Sequence, residues 1–106
     1  MAVVQLTSLP QFNNVINRDR VAIIYFWAYW CGPCRGMTTI FNGVADSGSL
    51  AGVDFYRVDI DQANEIVQHV GGQTIPGFYV YQFGQKLGEL IGAYPAELQV
   101  RTEKFL

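Results

Sequence analysis

Cys31 and Cys34 are the chain's only cysteines, and only Gly32 and Pro33 separate them. Before them runs an unbroken apolar stretch, Val21 to Ala28, of the kind a central strand buried on both faces requires. After them, Met37, Ile40, Phe41, Val44 and Ala45 recur at the spacing of one helix face. The pair therefore falls where a buried strand ends and a helix begins. A thiol there meets unpaired N–H groups and the positive end of the helix dipole, and both favour thiolate over thiol. Two cysteines at this spacing can close a small disulfide within the first turn. Pro33 presets φ for that turn and lacks an N–H that would go unpaired anyway. Cys31 at the mouth is the natural attacking thiolate, partly exposed and more readily ionised than a free thiol. Cys34, one turn inward and more buried, is the natural resolving thiol.

Other uses of a close cysteine pair are less well supplied. A structural zinc needs four ligands, and the chain adds only one histidine, His69. His69 reads as a solvated residue near a helix end. Haem attachment needs histidine after the second cysteine, where Arg35 stands. An iron–sulfur cluster shared between two chains, or an inert structural pair, remain as alternatives. One local pair is not the framework that staples a small secreted fold, so a reducing, cytoplasmic setting is expected. Met1 to Leu6 lacks a basic region followed by a long apolar one, so no signal peptide is expected.

The 106 residues have room for one domain, expected to span 1–106. Hydrophobic residues make up 50% and charged ones 15%, which excludes disorder as the main state. Seven basic against nine acidic residues leave a net charge of −2 and no basic tract, which argues against nucleic acid or an anionic membrane as partner. The longest apolar stretch, Val21 to Trp30, is about half of the ~20 residues a membrane span needs.

Several further elements must position the pair. Val3, Val4 and Leu6 suggest a first strand. Thr7 or Ser8 can cap a helix with Pro10 in its first turn and Leu9, Phe12 and Ile16 on one face. Ser47-Gly48-Ser49 and Gly52 end the helix after the cysteines. Val53 to Asp59 reads as a strand, and Asp61 as the N-cap of a helix with Ala63, Ile66, Val67 and Val70 on its stripe, stopped by Gly71-Gly72. Gly77 to Phe83 and Lys86 to Ile91 form a hairpin about Gly84, and Pro95 opens a last helix, Ala96 to Leu106, with Leu98 and Phe105 on one face. The order βαβαβαββα predicts an α/β sandwich with a parallel centre and an antiparallel hairpin at one edge.

The run Phe26-Trp27-Ala28-Tyr29-Trp30-Cys31-Gly32-Pro33-Cys34-Arg35 resembles the active site of the thioredoxin family. The likeness extends along the chain. Val58-Asp59-Ile60-Asp61 resembles the family's third strand and the cap after it, Thr74-Ile75-Pro76 its cis-proline loop, and Ile91-Gly92-Ala93 the glycine ending its last strand. The resemblance implies the thioredoxin fold, a mixed five-stranded sheet of order 1-3-2-4-5 flanked by four helices. It implies a protein disulfide reductase with Cys31 and Cys34 as catalytic residues and no cofactor of its own. A flavin- and NADPH-dependent thioredoxin reductase would recycle it, and it would act as a monomer or weak dimer. A flat apolar surface of Trp30, Gly32, Pro33, Ile75, Pro76, Gly92 and Ala93 would bind substrate. The Ile75 backbone would pair with an extended segment, small residues at Gly92 and Ala93 would admit another chain, and Asp61 would hold the Trp30 indole. The alternative is a thioredoxin-fold interaction or chaperone module with slow redox activity.

Four positions depart from the family pattern. Tyr25 stands six residues before Cys31, where the family has a buried acid, its hydroxyl within reach of a neighbour such as Arg57. Arg57 replaces a lysine, Thr39 the proline that kinks the active-site helix, and Gly77 a threonine after the cis-proline.

Overall fold

A computed structural model describes residues 3–47, 51–71 and 74–104. Its elements are β1 (Val3–Gln5), α1 (Leu9–Ile16), β2 (Val21–Trp27), α2 (Gly32–Asp46), β3 (Val53–Asp59), α3 (Asn64–Val70), β4 (Gly77–Gln82), β5 (Gln85–Ile91) and α4 (Pro95–Lys104). Gly48, Ser49, Gly72, Phe105 and Leu106, invoked above as breaks or helix ends, lie outside the described residues, as do Met1 and Ala2.

The sheet has the order β1-β3-β2-β4-β5. Strand β3 pairs in parallel with β1 and β2, whereas β4 is antiparallel to β2 and β5. This is the thioredoxin fold that the resemblance implied. The all-apolar sequence of β2 follows from its place at the centre, where side chains of both parities are buried. Ile23 and Tyr25 point to the face covered by α2 and α4, with Met37, Phe41 and Leu98. Ala22, Ile24 and Phe26 point to the face covered by α1 and α3, with Phe12, Val15 and Ile66. Strand β3 divides likewise, Phe55 to the first face and Tyr56 and Val58 to the second.

Local chemistry sets the helix ends. Ser8 caps α1 in a full capping box: its hydroxyl accepts the Gln11 N–H, and the Gln11 side chain accepts the Ser8 N–H. Helix α3 starts at Asn64 behind Ala63 with no side-chain cap, which corrects the reading of Asp61 as its N-cap. The chain first turns at residues 59–63, where the Asp59 carbonyl accepts the Gln62 and Ala63 N–H groups and its carboxylate accepts the Asp61 N–H. Gly71 closes α3 at φ 94°, a left-handed conformation that glycine adopts without a Cβ penalty. His69 lies exposed in the last turn of α3. With Thr39 in place of proline, α2 runs as one uninterrupted α-helix of 15 residues.

Candidate active site

The end of β2 and the start of α2 bring the cysteines together. Cys31 and Cys34 form a disulfide with their Cα atoms 5.3 Å apart. Cys31 is the N-cap of α2, and Pro33 sits in its first turn. The Cys34 N–H points at Cys31 Sγ from 3.2 Å. A sulfur so placed occupies the seat a capping oxygen normally takes, so a thiolate there receives an N–H and the positive end of the helix dipole.

Cys31 was expected to be partly exposed. In the disulfide state it is buried, at 5% exposure against 2% for Cys34. With Ala28 the two cysteines form one buried cluster, and Trp27, Ile60 and Ile75 pack against it. Gly32 and Pro33 remain exposed beside it. A pocket of about 370 Å³ opens beside the pair, lined among others by Trp27, Tyr29, Arg35 and Thr38.

Around the mouth lies a rim from four loops. Trp30 is 67% exposed, and its indole Nε1 donates to an Asp61 carboxylate oxygen at 2.8 Å. Asp61 is thus engaged with the indole rather than with a helix terminus. The Ile75–Pro76 peptide is cis, with Ile75 against the cysteines and Pro76 buried. The Pro76 carbonyl accepts the Gly92 N–H at 2.8 Å, which ties the β5 end to this loop. A Cβ at Gly77 would lie 2.9 Å from the Thr74 carbonyl oxygen, which leaves no room for the threonine common at that place in the family.

Below the pair the site is sealed by aromatic packing. Tyr25 stacks on Phe78 with ring centroids 4.6 Å apart and an interplanar angle of 7°, and Phe41 leans on both rings. The Tyr25 hydroxyl donates to the Cys34 carbonyl at 2.8 Å and shares a second 2.8 Å hydrogen bond with the Thr38 hydroxyl. This corrects the expectation of a bond to Arg57. Arg57 is the ladder partner of Tyr25, but its guanidinium lies over the Trp27 ring and donates to Gln5 at the β1 side. Burial raises the Tyr25 phenol above its ordinary range against a smaller opposing pull from Thr38. The floor is therefore a neutral hydroxyl where the family has an ionisable carboxyl.

Sequence reasoning missed Thr38, Ile60 and Tyr94. Thr38 stands four residues after Cys34, so it shares a helix face with it, and that spacing was a usable signal. Ile60 follows β3 directly and covers the pair from there. Tyr94 is an exposed aromatic two residues beyond Gly92, with its ring against that glycine.

Comparison with known proteins agrees with this geometry. The sequence profile of the Thioredoxin family matches residues 3–104. A thioredoxin of Malassezia sympodialis is 39% identical over 94 residues, covering 89% of this chain and 90% of that protein. A thioredoxin of Coprinus comatus is 38% identical over 101 residues, covering 95% of each. The crystal structure of the Malassezia sympodialis thioredoxin superposes with a TM-score of 0.91 at 36% identity, covering 98% of this chain and 93% of that one.

Proposed function

The chain belongs to the thioredoxin family, and we propose that its exchange chemistry runs from Cys31 as attacking thiolate to Cys34 as resolving thiol. It is a thiol–disulfide oxidoreductase, a protein disulfide reductase working through the Cys31–Cys34 pair. The observation that carries the assignment of roles is the N-cap position of Cys31, whose sulfur lies 3.2 Å from the Cys34 N–H in the first turn of α2.

In the first step the Cys31 thiolate attacks one sulfur of a substrate disulfide. That bond breaks, a mixed disulfide forms, and the other substrate sulfur leaves as a thiolate. Cys34 then gives up its proton and attacks Cys31 Sγ, which closes the internal disulfide and releases the second substrate sulfur. Two electrons pass to the substrate, and two protons end on its thiols.

The remaining residues support these steps. Trp30, held by Asp61, screens one flank of the sulfurs, while Gly32 and Pro33 leave the mouth open. Ile75 and Pro76 offer backbone for an extended substrate segment, with Gly92 and Ala93 beside them. Tyr25 replaces the acid that would take the Cys34 proton, and a phenol with a reference pKa of ~10 is a poor base at pH 7. Resolution is accordingly slower than in relatives with the acid, and the core is firmer. Arg57 acts at one remove, by packing on Trp27.

Members of this family act on disulfide substrates and are recycled by a reductase. For this chain the reductase is a flavin- and NADPH-dependent thioredoxin reductase, so the protein carries electrons from NADPH to its substrates. We assign it to the cytoplasm, where a lone reactive cysteine pair is kept reduced, acting as one domain over residues 1–106 and as a monomer or weak dimer. Among the described residues no helix is long and apolar enough to cross a membrane. Insulin reduction followed by turbidity, with NADPH and thioredoxin reductase, tests this reading. Turnover with the reductase supports it; turnover with dithiothreitol alone removes the proposed recycling, and none with either removes the exchange roles.

A further inference from the structure

By resemblance, Gly92 is a small residue that lets a substrate chain come close. The space on its side-chain face is already filled. A Cβ at Gly92 would lie 2.6 Å from Cε2 and 3.2 Å from Cδ2 of Tyr94. What an incoming chain meets beside Gly92 is the Tyr94 ring, which packs on the glycine yet leaves the residue 56% exposed. The backbone beneath the ring is held. Tyr94 precedes Pro95, which confines it to extended conformations, and its carbonyl accepts the Leu98 N–H at 2.9 Å, at the start of α4. Only the two side-chain torsions remain to be ordered on contact, a small entropic cost.

A line of contacts joins this ring to the sulfurs. Ile75 packs on Cys31 and Cys34, the Pro76 carbonyl holds the Gly92 N–H, and Gly92 carries Tyr94. No residue in that line bears a charge, so it favours an apolar neighbour over an ionic one. From this geometry we infer that Tyr94 is a specificity-determining residue of the reductase. Its free face takes an apolar or aromatic side chain that flanks the cysteine of a substrate segment lying along Ile75. The inference rests on the exchange roles proposed for Cys31 and Cys34.

The test uses short peptides oxidised to dimers through a single cysteine. Two matched pairs differ only in carrying phenylalanine or serine two residues before the cysteine, or two residues after it. In one pair the wild-type protein should reduce the phenylalanine peptide roughly three- to tenfold better in kcat/KM, the worth of an aromatic contact. Tyr94→Phe should keep that preference and Tyr94→Ala should erase it. A preference that survives in Tyr94→Ala, or no preference in the wild type, overturns the inference. So does a faster Tyr94→Ala on every peptide, which would make the ring an obstacle. In these cases reduction of the peptides by the wild type leaves the exchange roles standing; reduction of none removes both readings. If Tyr94→Ala does not fold, each peptide is trapped on the Cys34→Ser variant and the Tyr94 ring protons are followed by NMR. A larger shift with phenylalanine supports the contact, and equal shifts or none overturn it.

Discussion

Cys31 opens onto a rim of exposed side chains, whereas Cys34 rests on a sealed floor. On the rim, Trp30, Gly32, Pro33, Ala93 and Tyr94 stand in solvent, carried by loops and by the first turn of α2 rather than by strands. On the floor, Tyr25, Phe41 and Phe78 are almost wholly buried and belong to β2, α2 and β4. The rim supplies what a substrate touches, and removing one of its groups leaves the core intact. The floor supplies the stiffness that holds the first turn of α2, through a phenol bonded to the Cys34 carbonyl. Chemistry and stability are thus drawn from opposite sides of one disulfide.

The largest effect should come from separating the two sulfurs. Cys31→Ser should abolish turnover, whereas Cys34→Ser should accumulate mixed disulfides visible on non-reducing gels. Alkylation of the reduced protein at neutral pH should label Cys31 first; prior labelling of Cys34 would reverse the two sides.

The next contrast is in stability. Phe78→Ala removes a ring stacked on Tyr25 and should cost about 3–5 kcal/mol, the usual range for a buried aromatic cut to alanine. Trp30→Ala should cost about 1 kcal/mol or less, since its ring is mostly in water and one hydrogen bond is lost. Urea unfolding of both variants checks this, and equal costs would erase the distinction between rim and floor.

A smaller effect is expected at alkaline pH. Burial raises the phenols of Tyr25, Tyr56, Tyr79 and Tyr81. The folded state therefore holds its phenolic protons more tightly than the unfolded chain. That contribution is complete below the unfolded value of ~10 and is lost as pH rises through the folded values. The unfolding midpoint should be insensitive to phenol ionisation up to about pH 9 and fall above pH 10. Tyr25→Phe should make the fall shallower, and an unchanged slope would show that Tyr25 ionises as freely as in the unfolded chain.

The rim and the floor also differed in how far they could be read from sequence. The central place of β2 and the helix faces were legible because β2 is apolar at both parities and α2 carries a clean stripe, whereas the strand order came from the family resemblance. The cysteine pair was legible because its spacing and its place before a helix carry a chemical meaning of their own. Two readings failed for one shared reason, that a side chain's partner is set by packing across elements. Asp61 has the right residue type for a cap, but the turn at 59–63 displaces the helix start and leaves its carboxylate to Trp30. Tyr25 faces Arg57 across the ladder, yet the arginine turns toward Gln5 and the phenol reaches α2 instead.

The neutral floor is tested most directly by Tyr25→Asp, followed as the rate at which the Cys31 mixed disulfide is resolved at pH 7 in protein verified as folded. A carboxylate there can take the Cys34 proton, and general bases of this kind contribute ~10²–10⁴-fold to the step they assist. Resolution should accelerate toward the lower end of that range, even as the lost ring and the buried charge reduce stability. An unchanged or slower rate would show that the missing acid does not limit this reductase and that Tyr25 serves the core alone.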